Sequence, residues 1–412
     1  MVQRELYMKK LRRLKDKDII KVITGVRRCG KSYLLQLFID ELISSGIKKE
    51  NIVLINFDDI EYKNIHNQSE LDELVLDLTA NVNGHMYLFF DEIQNVESWE
   101  KSILSYYVNL DCDIYITGSN SNLLSGELAT HLTGRYIEIK VYPFSFNEFC
   151  DYKLENVRFD TSNPDLLRFY KHQWLDEFIQ YGSFPFALSL IREDRVDYLQ
   201  DIFNSIIYKD LIGRYAIREI NLLNKLIVFL LDNVGNVFSA NSISKFLKSE
   251  GLSISPITIQ NYLSYLENAC IFNKVLREDI KGKEILKTNE KYYVVDTGFI
   301  QATRGINQLQ ENRGHVIENI VYLELVKRGY NVTIGKMNGS EIDFLCRKDK
   351  EIFYIQVAER IHEGNIDREF GSLLKVKDAY PKFVISDDTE DKSMYGIRHI
   401  SLLDFLIDFL NN

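Results

Sequence analysis

A glycine-rich segment near the start of the chain carries a specific chemical signal. Residues 25–32 read GVRRCGKS and fit the phosphate-binding pattern G-x-x-x-x-G-K-[ST] without a mismatch. Glycines at both ends of such a segment let the backbone turn tightly and aim its N–H groups at a phosphate. The lysine then reaches the β- and γ-phosphates, and the serine hydroxyl is offered to Mg²⁺. We predict contacts to ATP from Gly25, Arg28, Cys29, Gly30, Lys31, Ser32 and Tyr33.

A second segment places two carboxylates at the end of an apolar run. Residues 85–92 read HMYLFFDE, which is typical of a strand buried on both faces of a parallel sheet. Asp91 is suited to hold Mg²⁺ through water, together with Ser32. Glu92 is suited to act as the general base for an attacking water molecule. The pair predicts hydrolysis of the bound nucleotide, with Lys31 and Glu92 as catalytic residues.

A third apolar run, residues 113–120 (DIYITGSN), ends in small polar side chains. Ser119 or Asn120 is a candidate to hydrogen-bond the γ-phosphate or the water, and we assign Ser119 to nucleotide binding and Asn120 to catalysis. Thr117 is the competing candidate. The sequence does not choose among the three.

The patterns around these residues predict the elements that position them. An apolar run at residues 19–24 precedes the glycine segment, and an amphipathic run at residues 33–42 follows it. Strand, loop and helix in this order direct a helix N-terminus at an anion. Strand and helix patterns alternate through residues 1–150, which together with the glycine segment predicts an α/β P-loop NTPase core with a parallel sheet.

Composition restricts the classes of protein that this chain can be. A length of 412 residues predicts two or three domains. A net charge of −10 argues against a protein that coats nucleic acid, although it leaves room for one basic patch. The sequence has no apolar run of the length of a membrane span, and its five cysteines are scattered without a C-x-x-C pair. We therefore expect no membrane span and a cytoplasmic location.

Residues 151–220 have a helical pattern that is rich in aromatic side chains, and residues 221–300 read as three helices followed by two strands. The latter order is that of a winged helix-turn-helix domain. Its third helix has no Lys or Arg, whereas the strand pair is basic. Contact with DNA through this module and an interdomain or protein-binding role both remain open. The basic residues of the strand pair are Lys274, Arg277, Lys281, Lys283 and Lys287.

Residues 301–412 place acidic residues in the pattern of a restriction-endonuclease-like α/β domain, but the pattern is damaged. Glu318 and Asp343 are present, whereas Gln356 replaces a carboxylate and Ala358 replaces the expected lysine. Two-metal nuclease centres need several carboxylates and a lysine that orients water. We expect a degenerate domain that does not cleave, because its negative charge is low. The candidates to replace the lysine are Lys375 and Lys377.

Five segments together resemble one known group of proteins. GVRRCGKS, FFDEIQNVESWE, YITGSNSNLLSGE, LTGRYIEIKVYPFSFNEF and YGSFP, in this order, resemble the prokaryotic AAA-type ATPases that carry a C-terminal DUF4143 region. The resemblance implies an AAA-type ATPase core, a helical lid over residues 151–220, a winged helix and a nuclease-like tail that is often degenerate. Lys31, Ser32, Asp91 and Glu92 match the two Walker motifs of this group. Arg135 occupies a matching Gly-Arg position, which implies an arginine finger or sensor.

Three functions are compatible with these patterns. The first is Mg²⁺-dependent ATP hydrolysis coupled to the C-terminal winged-helix and nuclease-like module. The alternatives are a regulatory switch of low turnover that binds protein or DNA, and an ATP-gated DNA nuclease. The predicted partners are ATP, a DNA or protein ligand of the C-terminal domains, and further copies of the chain in a homo-oligomer.

Overall fold

A computed structural model describes residues 2–118, 134–156, 163–282, 284–337 and 339–409, which form two compact units. The first unit comprises Val2–Pro143 and Asn268–Cys270. The second comprises Phe144–Glu267 and Ile271–Asn412. Apart from Asn268–Cys270, the regions that the sequence assigned to lid, winged helix and nuclease-like domain thus belong to one compact unit.

The first unit contains a five-stranded parallel sheet with the strand order β2-β3-β4-β1-β5. Its strands are β1 Ile20–Thr24, β2 Ile52–Asn56, β3 Met86–Asp91, β4 Cys112–Thr117 and β5 Tyr136–Lys140. Its helices are α1 Glu5–Leu14, α2 Lys31–Ser44, α3 Gln68–Thr79 and α4 Trp99–Asn109. This architecture confirms the predicted parallel sheet with a P-loop.

Burial of the central strands fixes the edge of the sheet at which the functional residues lie. Every residue of β1 and β3 is buried, as expected for strands that are covered on both faces. Val22, Leu88 and Ile116 belong to one apolar core, and burial of each such side chain contributes about 1.5–3 kcal/mol. In parallel strands all carboxyl ends meet at one edge. The segments that follow β1, β3 and β4 therefore lie side by side.

The second unit begins with a series of helices. They are α5 Phe146–Asn156, α6 Pro164–Tyr181, α7 Arg192–Ser205, a π-helical segment Ile206–Gly213, α8 Ile220–Asp232, α9 Ala240–Ser249 and α10 Pro256–Asn268. The side chain of Asn163 caps α6, and Ser239 and Ser242 form a capping box at α9. None of the helices in the described parts of the chain is long and apolar enough to cross a membrane.

A seven-stranded mixed sheet completes the second unit, with the order β12-β11-β10-β9-β8-β6-β7. Its strands are β6 Phe272–Asp279, β7 Glu284–Val294, β8 Asn331–Met337, β9 Ser340–Lys348, β10 Glu351–Val357, β11 Lys382–Ser386 and β12 Arg398–Ser401. The accompanying helices are α11 Gly298–Glu311, α12 Arg313–Lys327, the short turns Ile366–Glu369 and Gly371–Leu374, and α13 Leu402–Asp408.

The predicted order of three helices and two strands is present in α8, α9, α10, β6 and β7. The two strands do not form a separate wing, however. They pair with each other, and β6 also pairs in parallel with β8, so that both belong to the large sheet. A separate winged-helix domain is therefore not shown.

Candidate functional site

The glycine segment forms a tight loop between β1 and α2. Gly25 has a φ of 146°, and a Cβ atom there would lie 2.2 Å from the carbonyl oxygen of Val141. Gly30 has a φ of 100° and precedes the first residue of α2. Both positions need the conformational freedom of glycine. The loop therefore leads directly into a helix N-terminus, which favours an anion.

Lys31 is the first residue of α2, and its side chain, which is 4 % exposed, reaches back into this loop. Its ammonium donates hydrogen bonds to the carbonyls of Gly25, at 3.2 Å, and Val26, at 3.5 Å. Its Nζ also lies 3.5 Å from Oε1 of Glu92. The structure thus brings the predicted phosphate-binding lysine and the predicted general base together.

Asp91 is buried at the carboxyl end of β3. The hydroxyls of Thr117 and Ser32 hydrogen-bond its carboxylate. Burial raises the pKa of Asp91, and these two hydroxyls oppose the rise. Ser32 and Asp91, the two residues predicted to hold Mg²⁺, are therefore in contact, and their oxygen atoms are the ligands that Mg²⁺ prefers.

Glu92 follows β3 in a left-handed conformation, with a φ of 54°. Its backbone N–H donates to Oγ1 of Thr117 at 3.0 Å, and its Oε2 accepts from the Gln94 amide at 2.5 Å. Burial alone would raise the pKa of Glu92, but the Lys31 ammonium and the Gln94 hydrogen bond outweigh burial and lower it. The carboxylate is therefore ionised at neutral pH, which a general base requires.

The remaining loop residues differ in what they offer a nucleotide. Arg28 is exposed in a left-handed conformation, with a φ of 68°. The thiol of Cys29 is fully buried, and burial raises its pKa. Cys29 can therefore contribute backbone atoms to phosphate binding but not its side chain. Tyr33 is half-buried and donates to the carbonyl of Val2 at 3.4 Å.

Sequence reasoning missed a residue that supports this loop from the N-terminal segment. Arg4 is 1 % exposed and donates to the carbonyl of Cys29, at 2.9 Å, and to that of Tyr142, at 2.7 Å. It thereby links the phosphate-binding loop to the segment that follows β5. No motif marks Arg4, because the contact joins residues that are far apart in sequence.

Arg135 lies away from this site within its own unit. It immediately precedes β5, whose first residue pairs with Ile20 at the start of β1. The loop follows the opposite end of β1, so Arg135 and Lys31 lie at opposite edges of the sheet. The exposed guanidinium lies over the Tyr107 ring, 5.9 Å from its centroid. The structure therefore does not bring Arg135 to the loop of its own chain.

The other candidates that follow β4 divide into two groups. Thr117 is fully buried and contacts both Asp91 and Glu92. Ser119 and Asn120 lie outside the described residues. Their predicted roles stay predictions.

The second unit contains a cluster of carboxylates in a cavity of about 730 Å³. The cluster consists of Glu318, Glu341, Asp343 and Glu369, and Glu311 and Glu359 also line the cavity. The expectation of low negative charge at this place is therefore wrong, because the fold adds Glu341 and Glu369 to the two residues of the sequence pattern. Gln356 also lines the cavity, where its Oε1 accepts from the Asp343 N–H at 3.4 Å.

The lysine in this cluster is neither of the two candidates that the sequence offered. Lys291 of β7 pairs with Glu318 at 2.9 Å. Lys375 instead donates to the hydroxyl of Ser340. Lys291 could not be found from the nuclease-like pattern, because it lies on a strand that the sequence assigned to a different domain.

The basic strand pair is partly neutralised by acidic neighbours. Lys274 pairs with Glu290 at 3.0 Å, and Arg277 pairs with Glu341 at 3.4 Å. These two residues therefore offer less net positive charge than the sequence indicates. The structure does not test whether the strand pair contacts DNA.

The loop, its lysine and the acidic pair define an AAA-type P-loop protein that binds ATP. Residues 17–150 match the model of an AAA domain, in agreement with this geometry. Residues 172–310 match a domain of unknown function, DUF8612. The DUF4143 region that the resemblance implies is therefore not confirmed.

Two relatives extend this similarity over most of the chain. An uncharacterised protein of Haemophilus influenzae is 41% identical over 408 residues, which cover 99% of this chain and 99% of the relative. An uncharacterised protein of Methanocaldococcus jannaschii is 35% identical over 367 residues, which cover 87% of this chain and 79% of the relative. The chain belongs to the family of these two proteins.

Solved structures are more distant. The Orc1 protein of Aeropyrum pernix, in complex with DNA, aligns over 76% of this chain and 91% of its own. The identity is 14% and the TM-score is 0.31. A likeness of this degree supports no inference about what this chain binds.

Proposed function

We propose that the first unit hydrolyses ATP with Mg²⁺. The observation that carries the proposal is the ionised Glu92 carboxylate 3.5 Å from the ammonium of Lys31, beside Asp91. Lys31 binds the β- and γ-phosphates, while Ser32 and Asp91 hold Mg²⁺, directly or through water. Glu92 accepts a proton from the attacking water.

Thr117 acts through its two neighbours in this proposal. Its hydroxyl donates to Asp91 and accepts the N–H of Glu92. It thereby holds the metal-binding carboxylate and the backbone of the general base in one arrangement. Arg4 holds the Cys29 carbonyl of the loop in the same way. Both are positioning residues, because neither needs to touch the nucleotide.

Hydrolysis is proposed to change the state of the second unit, which binds a protein or nucleic-acid partner without cleaving it. Most of the chain outside the ATPase core belongs to that unit. A cytoplasmic location and a homo-oligomer are part of the same proposal. The alternative function, a regulatory switch of low turnover, differs from this proposal in the rate of ATP hydrolysis and in the response of that rate to an effector.

The test is the steady-state rate of ATP hydrolysis by the full chain with Mg²⁺ or with EDTA. The rate is measured alone and with single-stranded DNA, duplex DNA or RNA, and the particle mass is measured in parallel. We expect Mg²⁺-dependent turnover that Lys31→Ala abolishes. Stimulation by one of the nucleic acids identifies an effector-driven ATPase. A rate equal to that of Lys31→Ala under every condition contradicts hydrolysis.

A further inference from the structure

The ammonium of Lys291 lies in the middle of the carboxylate cluster of the second unit. Its Nζ is 2.9 Å from Oε1 of Glu318, 3.1 Å from Oε1 of Glu341 and 3.5 Å from Oδ1 of Asp343. The Lys291 side chain is 4% exposed. The lysine comes from β7, while its partners come from α12 and β9. The tertiary fold therefore assembles three carboxylates around one buried cation.

Further side chains contact the same carboxylates. The Arg277 guanidinium lies 3.4 Å from Glu341, and the His315 imidazole lies 3.5 Å from Glu318. The fourth carboxylate, Glu369, pairs with Arg368 at 2.5 Å. Each carboxylate of the cluster thus has a basic partner supplied by the protein itself.

Burial favours an arrangement in which charges compensate one another. Burial alone would lower the pKa of Lys291, but Glu318, Asp343 and Glu341 outweigh burial and raise it. Lys291 therefore stays protonated at neutral pH. In the opposite direction, Lys291 opposes the effect of burial on Glu318 and helps to lower the pKa of Glu318 to about 2. Removing one member of such a buried set leaves an uncompensated charge.

The nuclease-like resemblance implies a divalent metal ion at this place, and the residues present do not fit one. A divalent cation needs several converging oxygen ligands. With the Lys291 ammonium between the carboxylates, no three His, Cys, Asp or Glu side chains among the described residues are placed to hold a metal ion. The Lys291 ammonium already contacts oxygens of three carboxylates and would repel a divalent cation. Gln356 is neutral, and its Oε1 accepts from the Asp343 N–H and the Ser372 hydroxyl, both at 3.4 Å.

We propose that the ammonium of Lys291 is the resident cation of this centre and takes the place of a divalent metal ion. The second unit then folds without metal and binds none at the cluster. Removal of the ammonium alone converts the cluster into a site for a divalent cation, because buried carboxylates then lack their shared partner. This inference does not depend on ATP hydrolysis by the first unit.

The experiment measures Mn²⁺ bound to the nucleotide-free full chain, by electron paramagnetic resonance of the free ion. Lys291→Met is expected to bind one more Mn²⁺ per chain than the wild type, and Lys291→Met/Asp343→Asn is expected to lose that ion. Mn²⁺ is also expected to raise the unfolding temperature of Lys291→Met by more than that of the wild type, since any ion at Ser32 and Asp91 is common to both. The matched control is Lys274→Met, which removes the pair with Glu290 outside the cluster. It should gain no ion.

A second comparison does not require the Lys291 variant to fold. Wild type and Asp343→Asn should bind equal amounts of Mn²⁺, because any ion at Ser32 and Asp91 is common to both and cancels. If the wild type binds an ion that Asp343→Asn loses, the cluster is a metal site and the proposal is wrong. A folded Lys291→Met chain that binds no additional Mn²⁺ also overturns it.

Discussion

The hydroxyl of Thr117 donates a hydrogen bond to Asp91 across the parallel strands β4 and β3. The same hydroxyl accepts the backbone N–H of Glu92 at 3.0 Å. One buried side chain therefore orients the carboxylate that is proposed to hold Mg²⁺ and the residue that is proposed to activate water. The end of β4 supports the site through this contact.

Thr117→Val keeps the shape of the side chain and removes the hydroxyl. A buried polar group without its partner costs about 1–3 kcal/mol. We expect kcat to fall roughly ten- to hundredfold and more Mg²⁺ to be needed, with nucleotide binding largely kept. Thr117→Ser retains the hydroxyl and should restore most of the rate. Equal rates for the valine and serine variants would show that the hydroxyl has no such role.

Arg4→Ala removes the buried guanidinium that holds the Cys29 and Tyr142 carbonyls. Hydrogen bonds to a charged group contribute about 1.5–3 kcal/mol each. We expect a lower free energy of unfolding in urea and weaker binding of a fluorescent ATP analogue. Arg12→Ala is the matched control, since Arg12 lies on α1, which directly follows Arg4, but pairs with Glu5 and Glu41 at the surface. It should change stability by less than about 1 kcal/mol. Equal effects of the two variants would contradict the supporting role.

Arg135→Ala tests whether that residue acts on a neighbouring chain. Arg135 lies at the sheet edge opposite the loop. A monomeric Arg135→Ala chain should therefore keep its rate of ATP hydrolysis within about twofold, whereas loss of an arginine finger lowers the rate by about 10³-fold or more. The measurement is the ATPase rate at concentrations where mass measurement finds monomers. If the chain is an oligomer, mixing Arg135→Ala with Lys31→Ala tests a shared site. A monomer that loses its activity on this substitution would contradict the placement.

The position of Asp343 in the fold predicts that the free energy of unfolding depends on pH. Burial, followed by the charge of Glu318, raises its pKa from 3.8 to about 7. The folded state therefore binds this proton more tightly than the unfolded state does. The contribution of this proton to the free energy of unfolding is fully present below about pH 4 and is lost as the pH rises towards 7. Asp343→Asn has no carboxyl group to titrate, so its stability does not show this loss.

The free energy of unfolding of Asp343→Asn, measured relative to that of the wild type, should therefore increase by on the order of 2–3 kcal/mol between pH 5 and pH 7.5. The measurement is urea unfolding of both chains at these two pH values. Asp349→Asn, in the exposed turn between β9 and β10, is the control and should show no such change. A constant difference between Asp343→Asn and wild type would refute the raised pKa.

The sequence was sufficient to predict that Lys31, Ser32, Asp91 and Glu92 lie together, because they belong to short motifs, whereas their roles toward a nucleotide stay predictions. Gly25, Gly30, Lys31 and Ser32 are adjacent in the chain, and β1 and α2 position them locally. Asp91 and Glu92 end a buried strand. The apolar runs were sufficient to predict a parallel sheet, whose carboxyl ends must meet. The parallel sheet with its P-loop was therefore predictable from the sequence.

Long-range contacts were not predictable in the same way. Arg4 reaches the loop across the first unit, and Lys291 reaches Glu318 and Asp343 from a strand assigned to another domain. The pairing of β6 with β8 created that contact, and no local pattern indicates which strands of a mixed sheet will be neighbours. The damaged motif at Gln356 and Ala358 therefore predicted fewer carboxylates at this place than the fold brings together.

The most direct test of the central claim compares Glu92→Gln with Glu97→Gln. Both make the same change in charge, but Glu97 is exposed and outside the site. ATP binding at equilibrium and single-turnover hydrolysis are measured with Mg²⁺ for both variants and the wild type. We expect Glu92→Gln to bind ATP and to hydrolyse it more slowly by a factor of about 10² or more. Glu97→Gln should match the wild type. Hydrolysis by Glu92→Gln at the wild-type rate would contradict the account.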